Sequence, residues 1–481
     1  MESSVDKKKV IRAAIIGSGP AGFYTAEHLL KQTEIEYEVD MFDRLPTPHG
    51  LVRSGVAPDH QKIKSVTKVY DKIASDPRFR FFGLVEFGKH VTLDDLKRHY
   101  HVVVFATGAQ TDRKLGITGE DLKGNHTATE FVAWYNGHPD YRHLTFDLSQ
   151  ETAAIIGVGN VAIDVARILC RTVEELKETD IADYALEALG RSRIRDVYLL
   201  GRRGPLQAAF TNPEVRELGK LAGAHPVTLP DEVEHDEFTV EAVETNKDQT
   251  AINKIEILRS YSDPSHHTKH KRLHIRFLVS PVEIIGDAEG RVCALKLARN
   301  ELYRAEDGTV RSRPTGEYEE LKTGLVFRSI GYQGVPLPGV PFHEKWGVIE
   351  NEKGRVKDPA TGGHVTGLYA VGWIKRGPTG VIGTNKQDAG ETVDSIIEDV
   401  GKGAVNDPPL PDAGSILNLV SAAQPDYVTY EDWLRIDSIE IERGKARGKP
   451  RVKFTSVEEI LDALKAGKKS VSGPGQNPDK T

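Results

Sequence analysis

Cysteine is nearly absent from this sequence: 481 residues contain only Cys170 and Cys293, far apart in the chain. That excludes a CxxC redox pair and any zinc or iron-sulfur site built on cysteine. Long apolar runs are missing too, since no stretch of eighteen apolar residues occurs, and no membrane span is expected. The opening "MESSVDKKKVIRAAIIG" has no apolar segment between its lysines and its first strand, which argues against secretion and for the cytoplasm. A formal net charge of -7 argues against bulk nucleic-acid binding. Local exceptions exist. Residues 443–453, "RGKARGKPRVK", carry cations and no anion, and read equally as a docking patch or a solvated face.

The length exceeds that of one ordinary core and predicts two or three domains. Three stretches repeat one pattern, an apolar strand followed at once by glycine: "AAIIGSGPAG", "AAIIGVGNVA" and "LYAVGW". "VVVFATGA" and "LVFRSIGY" close on glycine in the same way. Continuous rather than alternating apolar runs predict parallel strands covered on both faces. Helical periodicity follows the first two turns, over residues 21–31 and 161–176, which predicts two α/β dinucleotide-type units. Residues 273–302 read as one antiparallel hairpin turning at 286–290. After about residue 402 the chain is rich in Pro, Gly and Asp. Helical texture resumes at 457–465, and the final "SGPGQNPDKT" is expected to be disordered. His266, His267 and His270, with Asp263 as the one nearby carboxylate, read as an exposed polar loop rather than a metal site.

Gly17, Gly19 and Gly22 form GxGxxG between a strand and a helix, with Pro20 and Ala21 inside the motif. The first glycine permits the tight turn, the second lets the backbone approach a pyrophosphate, and the third lets helix and strand pack closely. The helix amino terminus adds free N–H groups and a favourable dipole. The next strand, "YEVDMFD", ends at Asp43, where an acid accepts hydrogen bonds from a ribose. That charge excludes a 2′-phosphate and leaves FAD or NAD.

Gly157, Gly159 and Ala162 make GxGxxA in the same setting. Here the next strand, "VYLLGRR", is delayed by an inserted helical segment over 172–189, and Arg202 and Arg203 stand where the acid is expected. Forked guanidinium donors suit phosphate oxygens, so this strand end is expected to take the 2′-phosphate of NADP. One chain with an unphosphorylated dinucleotide site and an NADP site is read as an FAD enzyme fed by NADPH. The missing cysteine pair removes disulfides as acceptors. An iron-sulfur protein that carries single electrons is the expected partner, docking on basic groups such as Lys62, Lys64, Lys68, Arg191, Arg193 and Arg195.

"GLVRSGVAPDH", "GVGNVAIDVARILCRT", "GRRGPLQAAFTNPEVREL" and "GWIKRGPTGVIGTN" make the sequence similar to the adrenodoxin-reductase-type ferredoxin:NADP reductases, including the bacterial, mycobacterial-like members, over nearly the whole chain. The resemblance implies FAD pyrophosphate at residues 17–22, its ribose at Asp43, and further FAD contacts at Leu51, Trp373, Gly380, Val381 and Ile382. It implies NADP(H) at Asn160, Val161, Arg202, Arg203 and Glu214, with Arg113 and Gly380 as further contributors. His60 and Glu214 match the family's charged pair near nicotinamide and flavin, and a monomer is implied. Helix amides at "GPTGVIG" are suited to stabilising negative charge on a reduced flavin.

Two positions depart from the family pattern: His49 stands where an aromatic residue is frequent, and Leu84 where asparagine is. His49 raises the question of altered flavin stacking or a titrating group beside it.

The resulting expectation is an α/β protein of two Rossmann-like domains, the NADP domain (111–332) inserted into a discontinuous FAD domain (1–110 and 333–481, the latter with a C-terminal extension). Two alternatives compete with the reductase. One is an electron-input flavoprotein of the glutamate-synthase small-subunit type, against which the missing cysteine-rich segment counts; the other is a non-enzymatic NADPH sensor.

Overall fold

The structure, a computed structural model, describes residues 10–233, 237–245, 248–263 and 268–471. The chain divides into two compact units, the first comprising Met1–Val56, His60–Thr111 and Tyr332–Thr481, the second Ala57–Asp59 and Asp112–Gly331.

In the first unit the strand Val10–Ile16 lies centrally, paired in parallel with Glu36–Asp43 on one side and Val102–Phe105 on the other. Phe79–Gly83 continues the sheet beyond Glu36–Asp43, and His364–Ala370 beyond Val102–Phe105. Two short antiparallel strands, Arg355–Lys357 and Asn351–Glu352, finish that edge. Ile11, Ala13, Val39, Val102 and Val104 are fully or almost fully buried on one face, and Ala14, Ile16, Phe42, Val103 and Phe105 on the other. This two-sided burial accounts for the unbroken apolar runs.

The second unit repeats the plan. Thr152–Ile156 is flanked in parallel by Asp196–Leu200 and Leu325–Arg328, and Lys271–Arg276, Ala224–Thr228 and Asn125–Thr127 extend the sheet on its two sides. In both sheets the order reverses beside the central strand, so each glycine fingerprint opens at a topological switch point.

Several sequence expectations need correction. The hairpin expected over 273–302 is present and turns just after Gly286, but its first strand starts at Val279, not at residue 273. Lys271–Arg276 joins the parallel sheet, and the chain reverses at Leu278, whose φ of 56° breaks the run. The antiparallel partners are Val279–Gly286 and Val292–Arg304, joined by a third strand, Val310–Lys322, that the sequence reading missed. The helix expected over 161–176 stops at Cys170, because Thr172 caps a separate helix, Val173–Leu176, through a reciprocal bond with Glu175. The closing helix runs Val457–Val471, longer than expected.

The basic stretch at 443–453 is largely structural. Arg451 pairs with Asp437 and Glu440, the Lys453 amine donates to the Arg53 carbonyl, and Arg443 lies over the Phe454 ring at 4.2 Å. His270 is exposed, while His266, His267 and the last ten residues lie outside the described residues. Among the described residues no helix is long and apolar enough to cross a membrane.

Candidate functional site

The first fingerprint is shaped by close packing. Gly17 has φ 108°, its amide donates to the Phe42 carbonyl, and a Cβ there would sit 2.5 Å from the Ala106 carbonyl oxygen. A Cβ at Gly22 would collide with the Gly17 carbonyl oxygen, so helix and turn approach too closely for any side chain. Gly19 differs. No atom lies within 4 Å of a Cβ built there, leaving open space over the amino terminus of Pro20–Leu30. That helix has no side-chain cap and no acid in its first turn, with Pro20, Ala21 and Gly22 as its first residues. Its free N–H groups and dipole suit a phosphate. The buried Thr107 hydroxyl, beside Gly17 on the neighbouring strand end, has no hydrogen-bond partner. It is a polar group the sequence reading overlooked, and a bound polar ligand would satisfy it.

Asp43 is held at its strand end by three protein donors. The Ser18 amide and hydroxyl donate to Oδ2 at 2.9 and 2.5 Å, and the Leu45 amide to Oδ1 at 2.9 Å. A carboxylate offers about four acceptor sites, so one stays free for a ribose hydroxyl.

Two other segments close on this turn. The His49 amide donates to the Ser18 carbonyl, and a Cβ on Gly50 would lie 3.0 Å from the Gly19 Cα. This seats Leu51 beside the fingerprint, 38% exposed. From the opposite direction Gly372, with φ 76°, packs against the Ala21 methyl, so Trp373 begins its short helix there. Trp373 tilts over Tyr332 at 5.4 Å, and its Nε1 donates to the Thr379 carbonyl, tying down the loop that carries Gly380, Val381 and Ile382. Val381 is 62% exposed, unusually open for an apolar side chain. The turn bearing Leu51 is braced from behind, where Arg53 makes a fork of 2.5 and 2.8 Å to the fully buried Glu440. Burial opposes ionisation of Glu440, but Arg53, Arg451 and the Phe454 amide outweigh it and lower its pKa.

The second unit reproduces this logic. Gly157 has φ 133° and abuts the Ser329 carbonyl, Gly159 faces open space, and Ala162 is fully buried where its methyl still fits. The uncapped helix Asn160–Cys170 begins at Asn160 and Val161. The amides of Ala209 and Phe210 donate to the Val158 carbonyl, and the Thr211 amide to Asn160 Oδ1, which brings the start of Asn212–Leu218, and with it Glu214, to the fingerprint.

At the strand end Arg202 is exposed and Arg203 half-buried, and neither pairs with a carboxylate among the described residues. Burial and the adjacent Arg202 charge lower the Arg203 pKa. Two adjacent cations without a carboxylate partner among the described residues are chemically suited to an anion. Arg113 follows the two-residue strand Thr111–Asp112. It is exposed where the chain enters the second unit, its amide donating to the Gly331 carbonyl.

Glu214 lies in a network that the sequence did not reveal. Its carboxylate is 3.4 Å from the guanidinium of the fully buried Arg167, which also binds Asp164 and Asp59. Arg171 makes a further bond to Asp59 at 2.7 Å. His60 follows Asp59 directly and starts the short helix Gln61–Lys64 in the first unit.

His49 and Leu84, the two departures from pattern, both have positive φ. His49 is not turned toward the fingerprint. It is buried among Phe23, Tyr70 and Trp433, its Nε2 is 3.3 Å from the Tyr430 hydroxyl, and burial, with Arg53 and Arg451, pushes its pKa down to about 3. Leu84 adopts φ 62°, a left-handed conformation that asparagine tolerates better than leucine.

Residues 11–218 match the family described as pyridine nucleotide-disulphide oxidoreductase. NADPH-ferredoxin reductase FprA of Mycobacterium tuberculosis is 47% identical over 461 residues, covering 93% of this chain and 98% of the relative. Mitochondrial NADPH:adrenodoxin oxidoreductase of Salvelinus fontinalis is 41% identical, covering 95% and 91%. The solved structure of Mycobacterium tuberculosis FprA in complex with NADPH superposes with a TM-score of 0.89 at 46% identity, covering 95% of this chain and all of that one. With two fingerprinted α/β units and this identity across almost its full length, the chain belongs to the adrenodoxin-reductase-like family of NADPH-ferredoxin reductases.

Proposed function

We propose that this chain oxidises NADPH and delivers the electrons, through FAD, to a ferredoxin-type iron-sulfur protein. One contrast carries the reading: a carboxylate, Asp43, closes the strand after the first fingerprint, and two arginines, Arg202 and Arg203, without a carboxylate partner among the described residues, close the strand after the second. The first strand end suits an adenosine ribose with free hydroxyls, the second a 2′-phosphate. The named relatives, an NADPH-ferredoxin reductase and an NADPH:adrenodoxin oxidoreductase, support the same donor and the same class of acceptor.

FAD, when bound, supplies the conversion of a two-electron hydride donor into single-electron steps. The chain's own residues bind and orient. Open space at Gly19, the uncapped helix behind it and the free Thr107 hydroxyl fit a pyrophosphate, and Asp43 is the proposed ribose acceptor. Leu51, Trp373, Gly380, Val381 and Ile382 are the proposed contacts to the rest of the cofactor. Gly157, Gly159, Ala162, Asn160 and Val161 are proposed to cradle the NADP pyrophosphate, with Arg202 and Arg203 on its 2′-phosphate and Arg113 as a peripheral contact.

His60 and Glu214 are the proposed catalytic residues, setting nicotinamide placement and protonation. Arg167 sets a fixed positive charge 3.4 Å from the Glu214 carboxylate. For the acidic partner, Lys62 and Lys68 in the first unit and Arg191, Arg193 and Arg195 in the second are exposed, and Lys64 is half-exposed. We place the protein in the cytoplasm as a monomer; its two free thiols accord with a reducing compartment.

The direct test is NADPH-driven reduction of a purified ferredoxin, followed anaerobically at the cluster's absorbance. The proposal expects turnover that requires both the flavoprotein and NADPH. A flavoprotein that is bleached by NADPH but passes electrons to no ferredoxin would contradict it.

A further inference from the structure

We propose that Asn300 is a positioning residue for nucleotide selectivity: its buried side-chain amide fixes the main chain of the turn that carries Arg202 and Arg203, and with it the aim of both guanidiniums. The inference deepens the reading of those arginines as a 2′-phosphate clamp and rests on it.

Asn300 lies 98 residues beyond Arg202, in the antiparallel strand Val292–Arg304, and is 7% exposed. Its Nδ2 donates to the Arg202 carbonyl at 2.9 Å and to the Ser280 hydroxyl at 2.7 Å. Its main-chain amide donates to the Leu278 carbonyl at 2.7 Å. The strand register slips between Ala298 and Asn300, an irregularity of the kind that re-aims a side chain out of the regular alternation.

The rest of the turn is tied from the same direction. The Val279 amide donates to the Gly201 carbonyl at 3.0 Å and the Leu278 amide to the Arg203 carbonyl at 3.2 Å, while the Gly201 amide donates to the Arg276 carbonyl at 2.9 Å. Three successive carbonyls, at 201, 202 and 203, therefore each accept from the segment around the Leu278 reversal or from Asn300. Two of these donors are main-chain amides that any residue would supply. The donor to Arg202 is a side chain, and it needs two N–H groups, one for the turn and one for Ser280. Asparagine provides both.

The consequence for binding is preorganisation. Arg202 and Arg203 have no carboxylate among the described residues to hold their side chains, so their direction depends on the backbone they leave. Losing the Asn300 amide leaves the Arg202 carbonyl without this donor and loosens the turn, and the ordering is then required when the phosphate binds. The adenosine and pyrophosphate contacts on the fingerprint do not involve this amide. The effect should follow the 2′-phosphate alone.

The test uses the FAD-loaded protein with N300A and N300L, S280A as the comparison, and R202A/R203A as the reference for the clamp. Binding of 2′,5′-ADP and of 5′-AMP is measured by calorimetry, with thermal unfolding alongside. Both Asn300 variants are expected to weaken 2′,5′-ADP about tenfold, the loss of one buried hydrogen bond, with 5′-AMP nearly unchanged. S280A, which keeps the bond to Arg202, should stay near wild type. N300L retains side-chain bulk and gives the reading should N300A prove unstable. Undiminished 2′,5′-ADP affinity in the Asn300 variants, or equal loss for both ligands, would overturn the proposal. If R202A/R203A itself leaves 2′,5′-ADP binding intact, the clamp reading fails instead.

Discussion

Asp59 accepts from both Nε and Nη2 of Arg167, at 2.7 and 3.1 Å, across 108 residues of sequence. Arg167 is fully buried, and Asp164, Glu214 and, at 3.8 Å, Glu217 also face it. Burial opposes its charge, yet Asp164, Asp59 and Glu214 together raise its pKa. This centre fixes the three-residue excursion Ala57–Asp59 within the second unit and gives Glu214 its counter-ion. Replacing the guanidinium with an apolar group takes the shared cation from three partly or largely buried carboxylates and leaves Asp59 to Arg171. Arg167→Met is expected to cost about 3–5 kcal/mol in denaturant unfolding. Arg167→Lys should recover only part of that, because an ammonium cannot make the fork to Asp59. A loss below about 1 kcal/mol in Arg167→Met would show that the network is not structural.

The two glycines of the first fingerprint should separate stability from cofactor binding. At Gly17 a methyl group meets the Ala106 carbonyl and a φ of 108°, so Gly17→Ala is expected to destabilise the fold by about 1–3 kcal/mol from backbone strain alone. At Gly19 the same methyl enters open space. Gly19→Ala should fold normally and lose FAD on gel filtration. Retention of a full flavin complement by Gly19→Ala would show that the pyrophosphate does not approach there.

His49 makes a signed prediction about pH. Its folded pKa, about 3, lies below the unfolded value near 6.5, so the unfolded chain binds the extra proton between those limits. Stability from this group is fully present above about pH 6.5 and is lost as pH falls toward 3, at up to about 1.4 kcal/mol per pH unit. Urea unfolding from pH 7.5 to 4.5 should show a shallower acid limb in His49→Asn, a residue that tolerates the φ of 84°. Identical acid limbs in the two proteins would mean that His49 does not supply the slope.

What the sequence disclosed was local. Each fingerprint is a strand, a glycine turn and a helix within about a dozen residues, and its requirements are met by neighbours in the chain. The acid at Asp43 and the arginines at 202 and 203 were legible because a strand end has a fixed place beside the fingerprint. Arg167 was not legible, since a cation on an otherwise apolar helix gives no sign of the distant Asp59 that neutralises it. The break at Leu278 escaped for a related reason. A left-handed leucine leaves no mark on an apolar run, so two strands of different sheets read as one. The strand Val310–Lys322 is mostly exposed and polar and shows no hydrophobic pattern to detect. His49 stayed an open question in the sequence because nothing local shows that its amide donates to the Ser18 carbonyl while its ring packs into the aromatic core.

The measurement that bears most directly on the central claim is anaerobic stopped-flow reduction of the purified protein by NADPH and by NADH, following flavin absorbance, in wild type and in R202A/R203A. The account predicts fast bleaching of wild type by NADPH, lost selectively in the double variant while the response to NADH persists. An absence of flavin, or a double variant that keeps the wild-type preference for NADPH, would contradict it.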